Sequence, residues 1–172
     1  ATIGNHDFDL GMKTLLKQLK RAKFPMLNAN YDLSKTVLNQ NVKPNCILKR
    51  GSLKIGIYGL GIDPDGLVPN HLCEGVNYSD PIQIMLNEEK KLKERGCDLI
   101  ICLSHLGYSY KSDKVSDLVL AKATQNIDLI LGGHTHTVLP TPVQIRNAAG
   151  QPVLINQCGK SGVYMGQIDF YF

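Results

Sequence analysis

Two short apolar runs, each ending in a polar turn that carries histidine, constrain the fold of this chain more than any other feature. The first is DLIICLSHLG, residues 98–107, and the second is IDLILGGHTH, residues 127–136. A continuous apolar run of this length, bounded by turn residues, is typical of a strand buried on both faces of a sheet. We therefore predict two buried strands, each followed by a loop that carries histidine.

Helical patterns separate the predicted strands. Apolar residues recur at helical spacing over residues 12–22. The pair Asp80-Pro81 is a strong signal for the start of a second helix, which we expect to end at Gly96. Residues 112–124 predict a third helix.

The other strand predictions cover six short segments: 24–30, 46–51, 53–61, 142–147, 151–156 and 162–172. Helices alternate with strands first, and strands follow one another later. This order predicts an α/β fold with a mixed sheet. With 172 residues, of which 43% are apolar, the chain can bury one core, and we treat residues 1–172 as a single domain.

Composition argues against several classes of protein. No run approaches the roughly 18 apolar residues of a membrane helix, so we expect no membrane span. Basic residues cluster at 17–23 and 90–95 on predicted helices, without interleaved aromatics, which favours solvated helix faces over a nucleic-acid surface. The five cysteines are scattered and odd in number, so they do not suggest a disulfide framework.

A third polar cluster, GNHDFD at residues 4–9, follows an apolar start. In α/β folds ligands bind beyond the strand ends, so the three clusters can converge on one site. The Asn5 amide oxygen is a hard metal ligand, and His6 can act as a general acid if Asp9 orients its ring. The alternative for Asp9 is a helix N-cap, because a helical pattern follows it.

The histidines of the other two clusters have alternatives as well. In an extended chain His134 and His136 point to the same side and could form half of a metal site, but they could also be solvated loop residues. A single histidine such as His105 is often only a hydrogen-bonded structural residue. Its position at a strand end favours a place in the site. His71, in a loop rich in proline and glycine, is predicted to lie at the surface.

At these residues the chain resembles the calcineurin-like metallophosphoesterases. Their motifs GNH[ED], a lone histidine after a strand, and GHxH occur in family order at 4–7, His105 and 133–136. The strings FPMLNANYD, GIYGL and QCGKSGVYMGQIDF are most similar to the 5′-nucleotidase branch. The resemblance covers essentially the whole chain and implies part of a four-layer α/β/β/α sandwich with mixed sheets.

The resemblance also implies a site with two divalent metal ions, for which zinc, manganese or iron suit the mixed ligands. Four side chains would bind them, one ion by Asn5, His105 and His134 and the other by His136. His6, paired with Asp9, would contact the scissile phosphate or its leaving group. The ions would activate a hydroxide for in-line attack on phosphorus.

Two family motifs, Asp-x-His and GDxxD, do not occur in these residues. We therefore expect the chain to be the C-terminal part of a larger catalytic domain, with incomplete metal binding and little activity in isolation. Missing upstream strands would leave a sheet edge exposed, which predicts pairing of two copies through that edge. The resemblance further implies export to the periplasm or the cell surface.

The function predicted on this basis is hydrolysis of phosphoric esters by a 5′-nucleotidase, which converts a nucleoside monophosphate to a nucleoside and phosphate. The alternatives are a 2′,3′-cyclic-nucleotide phosphodiesterase, a UDP-sugar hydrolase and, from another class, a metal-free binding module. A phosphate-binding loop at CGKSG is excluded because its pattern requires glycine where the chain has Leu154.

Overall fold

The computed structural model describes residues 1–172, which form three α-helices and ten β-strands. The helices are α1 (Met12–Leu19), α2 (Pro81–Glu94) and α3 (Asp117–Ala123). The strands are β1 (Met26–Leu27), β2 (Tyr31–Asp32), β3 (Val42–Lys43), β4 (Asn45–Arg50), β5 (Leu53–Gly61), β6 (Asn77–Tyr78), β7 (Leu99–His105), β8 (Leu129–Leu131), β9 (Val143–Arg146) and β10 (Pro152–Asn156). None of the helices has the length and apolar character needed to cross a membrane.

Six strands form one mixed sheet in the order β4-β5-β7-β8-β10-β9. The four central strands run parallel, and the two edge strands, β4 and β9, are antiparallel to their neighbours. The predicted α/β class with a mixed sheet is therefore confirmed. Because β5, β7, β8 and β10 are parallel, their C-terminal ends meet at one edge of the sheet, where ligand sites of such folds lie.

The main core lies between one face of this sheet and the helices α2 and α3. Completely buried side chains from strands and helices meet there, among them Tyr58, Leu60, Met85, Ile100 and Leu120. Burial of each such side chain contributes about 1.5 to 3 kcal/mol before entropy is counted. This core holds the strands whose ends carry the candidate site.

The predicted limits of α2 are confirmed. Asp80 Oδ1 accepts hydrogen bonds from the backbone N–H groups of Ile82 at 2.7 Å and Gln83 at 3.1 Å, as expected of an N-cap. At the other end Gly96 has a φ of 73°, a left-handed conformation that glycine adopts without steric cost.

A second, smaller core lies under the N-terminal segment. Ile3 and Phe8 are completely buried on either side of Asn5, and they pack with Leu15 of α1 and with Tyr31. Helix α1 itself is shorter than predicted, since residues 20 and 21 form a turn after it. Two apolar anchors thus fix the segment that carries the first polar cluster.

Two strand predictions need correction. Residues 162–172 form no strand, because β8 and β9 already occupy both edges of β10, the strand before this segment. The segment instead crosses the sheet face opposite the helices, where Ile168 and Phe170 help to line an apolar cavity of about 530 Å³. The prediction that β7 is buried on both faces also needs correction, because Ile101, which lines this cavity, is only partly buried.

Candidate metal centre

The first polar cluster lies on a short 3₁₀ helix, Asn5–Phe8. Its start is held by the Asp7 carboxylate, which accepts a hydrogen bond from the backbone N–H of Gly4 at 2.7 Å. In this tight turn the Asn5 side chain is buried, whereas the His6 side chain faces solvent. Two adjacent residues therefore lie in different surroundings, Asn5 in the protein interior and His6 at the surface.

The His105 ring, at the end of β7, lies between two glycines from distant parts of the chain. A Cβ on Gly4 would come within 2.6 Å of the ring, and a Cβ on Gly133 would lie 3.1 Å from Nδ1. Glycine at these positions lets both backbones approach the imidazole closely. The three clusters predicted from the sequence therefore meet at His105.

The Asn5 side-chain oxygen lies between the histidines of the other two clusters. Asn5 Oδ1 lies 3.1 Å from His105 Nε2 and 3.1 Å from His134 Nδ1. The two imidazoles meet edge to face, with ring centroids 5.3 Å apart. Two donor atoms bound to one ion at about 2.1 Å lie about 3.0 to 3.4 Å apart. Both 3.1 Å spacings fit neighbouring ligands of a single metal ion, so these three side chains fit the implied group.

His136 is placed differently. No group of three or more His, Cys, Asp or Glu side chains has the spacing to hold one metal ion, so His136 is not a third ligand beside His105 and His134. It is exposed on the same loop as His134. The extended geometry assumed for this pair is wrong, because His134 and His136 have φ angles of 74° and 55°. Both histidines have left-handed backbone conformations, so the alternation of side chains in an extended chain does not apply to them.

Electrostatics keep the two imidazoles of the centre neutral. Burial, helped by the neighbouring His134, lowers the pKa of His105 to about 4. The pKa of His134 is also lowered, by burial first and by the positive charge of Lys114 second. A neutral imidazole offers a lone pair to a metal ion without first losing a proton. Both imidazoles are therefore able to bind a cation at neutral pH.

His6 and Asp9 form an exposed pair beside the centre. His6 Nδ1 lies 2.9 Å from Asp9 Oδ2, and the side chains are 75% and 63% exposed. The alternative role of Asp9 as a helix cap is wrong, since Gly11 occupies the N-cap position of α1. The second ring nitrogen of His6 has no partner in the chain and can face a bound substrate. His71 is exposed on its surface loop, as predicted.

One supporting residue, Gln157, was missed by the sequence analysis. Its buried side chain donates from Nε2 to the Gly133 carbonyl at 2.9 Å, and Oε1 accepts from the Thr137 backbone N–H and from the Thr135 hydroxyl. These bonds hold the loop on both sides of His134. Gln157 directly follows β10, so applying the strand-end rule to this fourth parallel strand would have found it.

Comparison with known proteins gives a consistent result. A family model described as calcineurin-like phosphoesterase matches residues 1–138. An apyrase of Tabanus yao is 34% identical over 99% of this chain and 32% of its own length, and a snake venom 5′-nucleotidase of Crotalus adamanteus is 29% identical over 99% and 31%. The crystal structure of a 5′-nucleotidase precursor from Thermus thermophilus has a TM-score of 0.78 and 31% identity, over 91% of this chain and 32% of that one. The chain thus spans about a third of the length of these relatives.

Proposed function

Because this chain belongs to the calcineurin-like phosphoesterase family, we propose that it provides part of the catalytic centre of a metal-dependent 5′-nucleotidase. The observation that carries the proposal is the convergence of Asn5 Oδ1, His105 Nε2 and His134 Nδ1. Chain segments 129 positions apart supply an oxygen and two nitrogens at ligand spacing. Neither packing nor surface solvation requires that arrangement.

In this proposal Asn5, His105 and His134 hold one divalent ion, and His136 is a ligand of a second. Oxygen and nitrogen ligands favour zinc, manganese or iron over ions that prefer sulfur. Bound ions of this kind polarise a phosphoryl group and lower the pKa of a coordinated water. Only one ligand of the second ion comes from this chain, so we expect weak metal binding and little activity from residues 1–172 alone.

His6 is proposed to move the proton. Asp9 holds the Nδ1 side of the ring at 2.9 Å and so directs Nε2 away from the carboxylate. When the ring is protonated, Asp9 stabilises its charge, and Nε2 can donate to the oxygen of the departing nucleoside. The exposure of the pair suits a group that meets substrate from solvent.

The test compares hydrolysis of three substrates by the intact protein with added Mn²⁺: AMP, 2′,3′-cyclic AMP and UDP-glucose. Relatives named as 5′-nucleotidases support the expectation that AMP is cleaved fastest. Preference for the cyclic ester or for the UDP-sugar would favour the corresponding alternative. Absence of both bound metal and phosphatase activity would favour a metal-free binding module and would contradict the proposal.

Export to the periplasm or the cell surface remains part of the proposal. A relative described as a snake venom 5′-nucleotidase supports it. Fractionation of cells that make the intact protein tests it, and recovery of the protein only from the cytosol would contradict it.

A further inference from the structure

A buried carboxyl group lies behind the loop that carries His134. Asp117, the first residue of α3, is completely buried, and neither of its carboxylate oxygens has a hydrogen-bond partner. Buried polar groups in proteins are nearly always paired, and an unpaired buried charge is far more costly than an unpaired neutral group. A group of this kind calls for an explanation.

Asp117 contacts both strand ends that lead to the centre. Its backbone N–H donates to the Gly107 carbonyl at 2.8 Å, two residues beyond His105. Its side chain lies against Gly132, where an added Cβ would collide with Oδ2. Gly132 stands two residues before His134. The same acidic residue therefore touches both loops that present an imidazole to Asn5.

The turn formed by Gly132 and Gly133 passes between this carboxyl group and the His105 ring. Gly132 faces Asp117 Oδ2. Gly133 faces the His105 ring, and a Cβ added to Gly133 would lie 3.1 Å from His105 Nδ1. Any larger residue would push the turn away from one side or the other. The turn is thus packed between the Asp117 carboxyl group on one side and the His105 imidazole on the other.

Charge adds a second role to this support. Burial raises the pKa of Asp117 to about 7, and the opposing effect of the nearby Ser104 hydroxyl, which makes no hydrogen bond to the carboxylate, is the smaller of the two. A divalent ion held by Asn5, His105 and His134 would offset that charge from the other side of the turn. Groups behind the direct ligands change metal affinity by about 10- to 100-fold when they are altered.

We propose that Asp117 is a positioning residue of the metal centre, whose buried carboxylate supports the turn behind His134 and strengthens the binding of a divalent cation. This inference rests on the proposed function, because it assumes the metal site. It makes Asp117 unfavourable for the stability of the metal-free protein and favourable for the metal-bound one. A residue that only filled space would affect both forms in the same direction.

The substitution Asp117→Asn separates these roles because it keeps the shape and removes the charge. In the intact protein we expect Mn²⁺ affinity, measured by isothermal titration calorimetry, to fall about 10-fold or more. We expect the thermal midpoint of the metal-free protein to rise by about 2 °C or more. Unchanged Mn²⁺ affinity, or a variant that fails to fold, would overturn the inference.

Glu89→Gln is the matched control. Glu89 is also buried, but it accepts hydrogen bonds from the backbone N–H groups of Gln125 at 3.0 Å and Asn126 at 3.3 Å and from the Thr124 hydroxyl. Its substitution should lower stability and leave Mn²⁺ affinity unchanged. Equal loss of affinity in both variants would assign the effect to folding and overturn the role of Asp117. Failure of the unmodified protein to bind Mn²⁺ would contradict the proposed function itself.

Discussion

Asn5 Oδ1 lies 3.1 Å from His134 Nδ1 although 129 positions separate the two residues in the chain. One belongs to a 3₁₀ helix anchored in the smaller core, and the other belongs to a loop at the end of the main sheet. A cation bound between them would link the two cores directly. Metal binding and stability of the fold must therefore be coupled.

The first prediction concerns this coupling. Saturation of the intact protein with Mn²⁺ at a hundred times its Kd should stabilise the fold by about 2.7 kcal/mol. His134→Ala should lower metal occupancy and remove most of this stabilisation, because one of three ligands is lost. Thermal unfolding with and without EDTA measures the effect. The control is His71→Ala, which alters an exposed histidine outside the proposed ligand set. Full occupancy in His134→Ala would contradict the ligand assignment.

The second prediction separates the proton donor from the ligands. His6→Ala should leave metal content near normal, because His6 faces solvent and is paired with Asp9. Turnover of AMP should fall by about 10²- to 10⁴-fold, the usual effect of losing a positioned general acid. Metal analysis and steady-state kinetics on the same preparation check both statements. Unchanged turnover would remove His6 from its assigned role.

The third prediction uses the close packing of His105. Gly4→Ala places a methyl group within 2.6 Å of the imidazole, so the ring or the Asn5 turn must move. We expect weaker Mn²⁺ binding and lower activity. Gly66→Ala is the control. A Cβ added to Gly66 would meet no atom within 4 Å, but the backbone there has a left-handed φ of 71°. That backbone conformation should cost about 1 to 2 kcal/mol of stability while Mn²⁺ affinity stays the same. Normal affinity in Gly4→Ala would show that the site tolerates the shift.

The fourth prediction concerns the pH dependence of stability. Burial raises the pKa of Asp117 from 3.8 to about 7. Between these two pH values the folded protein keeps a proton on Asp117 that the unfolded chain has released. Stability of the metal-free protein should therefore fall as pH rises from about 4 to 7 through this group. The nearby Cys102 and Tyr110 also have raised pKa values and stay neutral there.

Denaturant unfolding at several pH values checks this dependence. The stability advantage of Asp117→Asn over the unmodified protein should grow between about pH 4 and 7 and change little beyond those limits. An advantage that shrinks over the same range would show that the carboxyl group titrates in the opposite sense.

The fifth prediction concerns self-association. The outer sides of both edge strands, β4 and β9, have no strand partner in the sheet. An unpaired edge is a template for another strand, so we expect pairing of two copies through such an edge. Light scattering of residues 1–172 as a separate protein measures this directly. A monomer over the working concentration range would count against it.

Local signals predicted several elements well. The Asp80 cap and Gly96 marked the two ends of α2, because both act through backbone groups within one turn of them. The apolar runs before His105 and His134 became β7 and β8, parallel neighbours in the sheet. The prediction for 162–172 was wrong, since strand formation depends on a free partner edge, which no local pattern encodes.

The sequence by itself determined which side chains were available at the strand ends, because strand length, turns and residue type are encoded locally. Only the tertiary structure decided that Asn5 and the two imidazoles face one another, that Gly4 and Gly133 clear space for His105, and that Asp117 is buried without a partner. Those relationships depend on distances between segments far apart in the chain. Such distances are set by the packing of the whole core, so they exist only once the chain has folded.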